Sequence, residues 1–311
     1  MKLHKKSILI IILYLSNIKC VDEFIIYAPS QMDEHRDICK EKMITNPANL
    51  SDPTYQMQRA MRTISGTDSD YIPKIVGAGE IFKDGDVAYQ LMHNGIKVHL
   101  NSYYGKWTND VIWGLKGHHE PQEEKCFYEV LKYIPENATM IELGSFWAYY
   151  SLWFAFSIKG AKNYLIEPDL KRLEVGKKNF ALNNKFGVFK RGYIGNVVDR
   201  DPDISGAESI ILDDFIEKEG IDHINILHAD IQGSEFDMLK TLKKHLIKID
   251  YFFISTHGFG PIHASCRKFL IENNYIILAE HSEQESCSGD GLIVAKKKAV
   301  YGPKCISIQK Y

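Results

Sequence analysis

The 311-residue chain has little of what marks several common function classes. Its six cysteines, at positions 20, 39, 126, 266, 287 and 305, form no C-x-x-C pair, which argues against a zinc knuckle. Loss of the first twenty residues would remove Cys20 and leave an odd number, so no disulfide framework is announced. The 38 basic residues do not exceed the 40 acidic ones, and the formal net charge is -2. The chain therefore lacks the overall positive field that holds a nucleic-acid backbone. The apolar run Ile8–Leu15 is too short to span a bilayer. There is no G-x-G-x-x-G loop, no internal repeat and no low-complexity linker. What remains is a composition of 45% hydrophobic and 25% charged residues, ordinary for a globular protein with a substantial core.

The first residues, M-K-L-H-K-K-S-I-L-I-I-I-L-Y-L-S-N-I-K-C, set a basic start before that apolar run. This is the layout of a secretory signal peptide, although Ile18 and Cys20 are poor cleavage-site residues. Residues 1–20 are thus expected to direct the chain to the secretory pathway, with the cytoplasm as the alternative. Asn49-Leu50-Ser51 and Asn137-Ala138-Thr139 match the glycosylation sequon, a match frequent by chance. Residues 21–115 are expected to form an N-terminal extension with a small β-rich cap. Within it Pro53–Ile64 has a weak helical pattern. Val87–Leu100 reads as a hairpin turning at Asn94-Gly95, a pair that tolerates the positive φ values of a type I′ turn. Ile96, Val98 and Leu100 alternate with Lys97 and His99, so one face of the hairpin is buried.

Pro121, Glu123 and Glu124 suit the first turn of a helix, and Phe127, Val130, Leu131 and Ile134 share one of its faces. Capping leaves His118 and His119 unexplained; the two can reach a cofactor or an acceptor. From Thr139 onward strands are expected near 139–144, 163–167, 187–190, 224–230, 250–256, 275–281 and 291–296. Helices are expected near 146–157, 169–183, 234–244 and 262–273. Alternating β and α units predict a mostly parallel sheet with helices on both faces over residues 116–300, followed by a tail, 301–311.

Three clusters fall at the carboxyl ends of these strands, where an open α/β sheet binds its ligand. In the first, Met140–Glu167, Glu142 and Gly144 close one strand and Glu167 closes the next. An ionised carboxylate only accepts hydrogen bonds, so Glu167 suits a pair of ribose hydroxyls. The loop after Gly144 lacks the further glycines that let a pyrophosphate approach, which points away from dinucleotides and toward S-adenosylmethionine. The second cluster is Asp230, Gln232 and Glu235, with Gly233 making the turn and Ser234 capping the next helix. The third is Ser255-Thr256-His257-Gly258, with His263 one loop further on. A histidine titrates near neutral pH, so His257 is a natural base for a hydroxyl.

Taken together these residues resemble the FkbM family of S-adenosylmethionine-dependent methyltransferases. Glu142-Leu143-Gly144-Ser145-Phe146-Trp147-Ala148-Tyr149-Tyr150-Ser151 is similar to its first motif, usually D-x-G-A-N-x-G-x-x-S. Leu212-Asp213-Asp214-Phe215 is similar to the L-D-D segment, and Asp230-Ile231-Gln232-Gly233-Ser234-Glu235 to D-x-E-G-A-E. Met92-His93-Asn94-Gly95 and His119–Glu124 resemble one branch of the family. Phe146 replaces the usual asparagine, Ala148 a glycine, Gln232 a glutamate and His228 a lysine.

The resemblance implies a doubly wound, Rossmann-like seven-stranded methyltransferase sheet and transfer of a methyl group to a hydroxyl oxygen, often of a sugar or small metabolite. Glu142, Gly144, Ser145, Ala148, Glu167, Tyr193 and Asp230 are then expected to bind the cofactor, with the loop Gly192–Asn196 flanking its adenine. Asp230 and His257 would position or deprotonate the acceptor, with Glu235 in support, and Phe146 or Trp147 would face the sulfonium. The expected partner is a small-molecule or glycan acceptor, with no nucleic acid and no stable transmembrane span. No ligand spacing requires a metal, although Asp230, Glu235 and His257 can converge. A nicotinamide-dependent oxidoreductase and a non-catalytic relative of the same fold are the alternatives.

Overall fold

A computed structural model describes residues 9–11, 24–45, 53–194, 206–258 and 260–311. Most of the signal-like segment and the Asn49 sequon lie outside the described residues. The chain divides into two compact units, Met1–Lys125 and Cys126–Tyr311.

In the first unit, short strands β1 (Leu9–Ile11), β2 (Phe24–Ile26) and β3 (Lys74–Ile75) pair antiparallel. Helices α1 (Pro29–Thr45), α2 (Pro53–Ile64) and α3 (Lys106–Gly114) share a core of Cys39, Met43, Ala60, Ile64, Val111 and Leu115. The β-rich cap is therefore joined to a helical layer. The pattern of α1 is hidden because one of its buried positions is Arg36, whose guanidinium binds Asp70 and donates to the Gly66 carbonyl at 3.0 Å. An ion-paired arginine interrupts the apolar stripe by which a helix is read.

Strands β4 (Ile81–Asp84), β5 (Val87–Leu91) and β6 (Lys97–His99) form the expected hairpin and one further strand. The turn differs from the expectation. Gly95 N–H donates to the Met92 carbonyl at 3.1 Å, Met92 N–H donates to the Ile96 carbonyl at 2.8 Å, and only Gly95 has positive φ, at 90°. This is a three-residue loop ending in a left-handed glycine, not a two-residue I′ turn, which needs positive φ at Asn94 as well. Helix α4 (Pro121–Leu131) follows, and the division between the units falls within it.

The second unit holds β7 (Thr139–Leu143), α5 (Tyr149–Ser157), β8 (Lys162–Glu167), α6 (Leu170–Leu182), β9 (Val188–Ile194), β10 (Glu208–Ile210) and α7 (Leu212–Lys218). It continues with β11 (Ile224–Ala229), α8 (Glu235–Thr241), β12 (Ile249–Thr256), α9 (Pro261–Glu272), β13 (Tyr275–His281) and β14 (Gly291–Lys297). The sheet order is β10-β9-β8-β7-β11-β12-β14-β13, parallel except for β14, which runs antiparallel to both neighbours. This is the Rossmann-like methyltransferase sheet with its returning final pair, plus an edge strand. The expected seven strands are present, and β10 is the eighth. Its three residues are too few to show a period in the sequence.

Register places Glu142 beside Leu165 and His228, and His228 beside Phe253. Laterally paired residues share a face, and so do residues two apart along a strand, so Glu142 and Glu167 project from the same side. Phe127, Tyr150 and Trp153 pack on this side, with Phe127 5.4 Å from Phe253 and Tyr150 4.5 Å from His228 between ring centres. The opposite face, with Ile141, Leu143, Leu227, Phe252 and Ile254, buries Phe215, Met238, Leu239, Cys266 and Leu270 of α7, α8 and α9. The tail lies along β13, where Ile306 N–H donates to the Leu278 carbonyl at 2.7 Å. Among the described residues Cys39, Cys266 and Cys305 are free thiols. Among the described residues no helix is long and apolar enough to cross a membrane.

Candidate active site

The strand ends of β7, β8, β11 and β12 build the site. After β7 the chain turns through Gly144 (φ 74°), Phe146 (φ 38°) and Ala148 (φ 62°) into α5. A Cβ on Gly144 would sit 1.8 Å from the Asp230 carbonyl oxygen, so only glycine lets the β7 and β11 ends meet this closely. Both Gly144 and Ser145 donate their N–H to the Ile166 carbonyl. Ser145 is buried. Glu142 accepts the Ser151 N–H at 3.1 Å, which ties the end of β7 to the first turn of α5.

Glu167 is buried at the end of β8. One of its oxygens accepts the Phe146 N–H at 3.0 Å and the other the Asp169 N–H at 2.9 Å. Burial pushes its carboxyl up, against the pull of these two N–H groups and of Arg172. A carboxylate has about four acceptor sites, so two bonds leave capacity for a ligand. Phe146 does not offer an open ring, because the Arg172 guanidinium lies 4.8 Å from its centroid. Trp147 is buried against Tyr149, with ring centroids 5.2 Å apart, and its carbonyl accepts from Asn179 at 2.9 Å. The expectation that one of these two rings faces a sulfonium is weakened accordingly. Tyr193 is half-buried on β9, beside Ser209 of β10. Gly195 and Asn196 of the expected adenine loop lie outside the described residues.

The second and third sequence clusters come together around His257. Its Nδ1 lies 2.8 Å from Glu235, and its Nε2 lies 3.3 Å from Asp290 and 3.5 Å from Asp230. Burial opposes the imidazolium, but hydrogen bonds to Asp290 and Glu235 and the charge of Asp230 outweigh it and push the His257 pKa up to about 11. His257 is therefore a cation at neutral pH, which moves its expected role from base to positioning. The Gln232 side-chain nitrogen bonds Asp230 at 2.9 Å and also lies 2.9 Å from Nε2 of His257. Glu235, fully buried, also accepts the Gly233 N–H at 3.0 Å. His263 instead bonds Thr256 at 2.9 Å.

Sequence reasoning missed Asp290. Its only signal was Ser288-Gly289-Asp290-Gly291 before the last strand, where a Cβ on Gly291 would meet the Thr256 hydroxyl at 2.4 Å. The first aspartate of the L-D-D segment has a structural role. Asp213 accepts backbone N–H groups from Lys243, Lys244 and His245 at 2.9, 2.8 and 3.1 Å, and so fixes the loop after α8.

In the first unit, His118 and His119 both engage the buried Glu124, which also accepts the His119 N–H at 3.0 Å. Burial lowers the His118 pKa to about 4. Burial opposes protonation of His119 too, but the carboxylates of Glu120 and Glu124 outweigh it and raise its pKa to about 10.

Among solved structures, TrmK of M. capricolum, solved with the natural cofactor product S-adenosyl-homocysteine, is similar at 18% identity. The match covers 57% of this chain and 69% of that one, with a TM-score of 0.39. A ribosomal protein L11 methylase from Lactobacillus delbrueckii matches at 11% identity, over 57% of this chain and 80% of that one, with a TM-score of 0.38. An rRNA methylase from Streptococcus thermophilus matches at 9%, over 55% and 93%, with a TM-score of 0.40. No curated protein matches in sequence. Residues 201–277, which carry Leu212-Asp213-Asp214 and Asp230–Glu235, match the family described as the methyltransferase FkbM domain.

Proposed function

We propose that the second unit is an S-adenosylmethionine-dependent methyltransferase domain that methylates a hydroxyl of a sugar, glycan or small metabolite. The observation that carries this reading is the crest of the sheet, where Glu142 and Glu167 project from one side and Gly144 meets Asp230. The FkbM match over 201–277 supports it from sequence.

The fit to the cofactor rests on chemistry. Glu167 retains acceptor capacity for two ribose hydroxyls, and Gly144, Ser145 and Ala148 form the turn that would hold the methionine portion. When bound, S-adenosylmethionine supplies an electrophilic methyl group on a sulfonium. The chain's contribution is to hold the acceptor oxygen in line with it and to remove the hydroxyl proton. Asp230, partly exposed, is the group suited to receive that proton. His257 is a cation already and suits a positioning role, holding Asp230 and Asp290 by charge while Glu235 fixes its ring. A second reading, a relative that binds the cofactor without transferring from it, is favoured by Phe146, Ala148 and Gln232, which depart from the family pattern.

The test is incubation of the full chain with isotope-labelled methyl donor and a panel of glycans and small alcohols, read by mass spectrometry. The reading predicts label on a hydroxyl oxygen, and its loss in Asp230→Asn. Cofactor binding with no label on any panel member supports the second reading.

A further inference from the structure

The first unit contains a side-chain cluster that the methyl-transfer reading does not use. His93 sits in the β5–β6 loop, His118 precedes α4, and Glu124 lies in its first turns; each is at most 2% exposed. One ligand atom from each of the three lies within 4.8 Å of the others. The His93 and His118 rings stack, with centroids 4.1 Å apart and planes 18° apart. We propose that His93, His118 and Glu124 form a structural site for a divalent borderline metal ion, Zn²⁺ in the first instance, that ties the hairpin loop to the start of α4.

An independent observation points to a ligand. His118 bonds Glu124 through Nδ1, whereas its Nε2 is buried with no hydrogen-bond partner among the described residues. Leaving a buried polar nitrogen unpaired costs about 1–3 kcal/mol. With Nε2 uncommitted, His118 can carry its proton there and present Nδ1 together with the Glu124 carboxylate to one ion, the metal taking the place of the proton they share. Two imidazoles and one carboxylate form a donor set that zinc accepts, with a fourth position for water.

The backbone supports a fixed site. A Cβ on Gly117 would lie 2.3 Å from the His93 nitrogen, so the two ligand-bearing segments touch. Gly117 N–H donates to the Ile112 carbonyl, and its own carbonyl accepts the His93 N–H at 3.1 Å. The nearby competing cation, Lys74, directs its ammonium to the carbonyls of Ser69, Ile72 and Asp70 at 2.8, 2.8 and 3.2 Å. The Glu124 oxygens go to His118 and His119 instead. His119 lies beside the site and spends its second nitrogen on Glu120, at 3.3 Å.

The experiment uses the full chain without a histidine tag, stripped with a chelator and shown by circular dichroism to remain folded. Titration with Co²⁺ is expected to give visible d–d bands saturating at one ion per chain, and Zn²⁺ is expected to displace them and raise the melting temperature. His118→Ala is expected to weaken Zn²⁺ binding more than about 100-fold, beyond what removing a supporting partner does. His257→Asn, in the other histidine–carboxylate cluster, is expected to leave it unchanged. A folded wild-type chain that gives no bands and no melting shift overturns the proposal. So does metal binding that is lost in the His257 variant and kept in the His118 variant. If His118→Ala fails to fold, the wild-type titration and the His257 control decide.

Discussion

Three residues that depart from the FkbM pattern the sequence resembles share a backbone property. Phe146, Ala148 and Gln232 have φ of 38°, 62° and 51°, in the left-handed region where asparagine and glycine are the usual occupants. A side chain there costs about 1–2 kcal/mol, so the chain carries local strain in the turns after β7 and β11. Ala148→Gly is expected to raise unfolding stability by about 1 kcal/mol, measured by denaturant titration. An unchanged midpoint would mean that the turn tolerates the methyl group. The motif letters were legible in the sequence, but their conformation was not, because one residue's identity does not report its φ. His257 shows the same limit. Its position at the end of a strand was legible, whereas its charge depends on Asp290, more than thirty residues away. Because its folded pKa is raised, His257 contributes stability that is fully present below its ordinary value near 6.5 and is lost as pH rises toward 11. The stability difference between wild type and His257→Gln is therefore expected to shrink as denaturation is repeated from neutral pH upward.

At the scale of elements, the strands and helices with a clear period or a clear cap were readable. Those from β7 to β8 and from β11 to β14 were read close to their observed bounds, whereas β9 was expected to end at 190 and runs to Ile194, so Gly192–Ile194 of the expected adenine loop belong to a strand. The missed elements are short or carry mixed polarity. β10 spans three residues and α7 seven, too few to display amphipathic periodicity. Helix α1 buries Arg36 among Met32, Cys39 and Met43, so ion pairing replaces an apolar residue in its stripe. The Asp213 carboxylate shows how an element end is held at a distance in sequence, since it caps backbone N–H groups at 243–245. Asp213→Ala is expected to leave those donors unpaired and to destabilise the second unit by about 2 kcal/mol. Asp214→Ala, one residue along, serves as the control and is expected to change little. Equal effects from both would contradict the assignment.

At the scale of the molecule, alternating β and α segments specified a doubly wound sheet, and that sheet fixes which residues reach its crest. Glu142, Gly144, Glu167 and Asp230 were legible as site candidates because a strand end followed by a turn is a local signal. The convergence of Glu235, His257 and Asp290 and the cluster of His93, His118 and Glu124 were not. Both join segments whose proximity is set by packing and strand order. The most direct test of the account is calorimetric titration of the folded full chain with S-adenosylmethionine, repeated on Glu167→Ala. The account predicts saturable binding at one site and an affinity at least tenfold lower in the variant, about 1.4 kcal/mol. Absence of binding to the wild type, or equal affinity in both proteins, would contradict it.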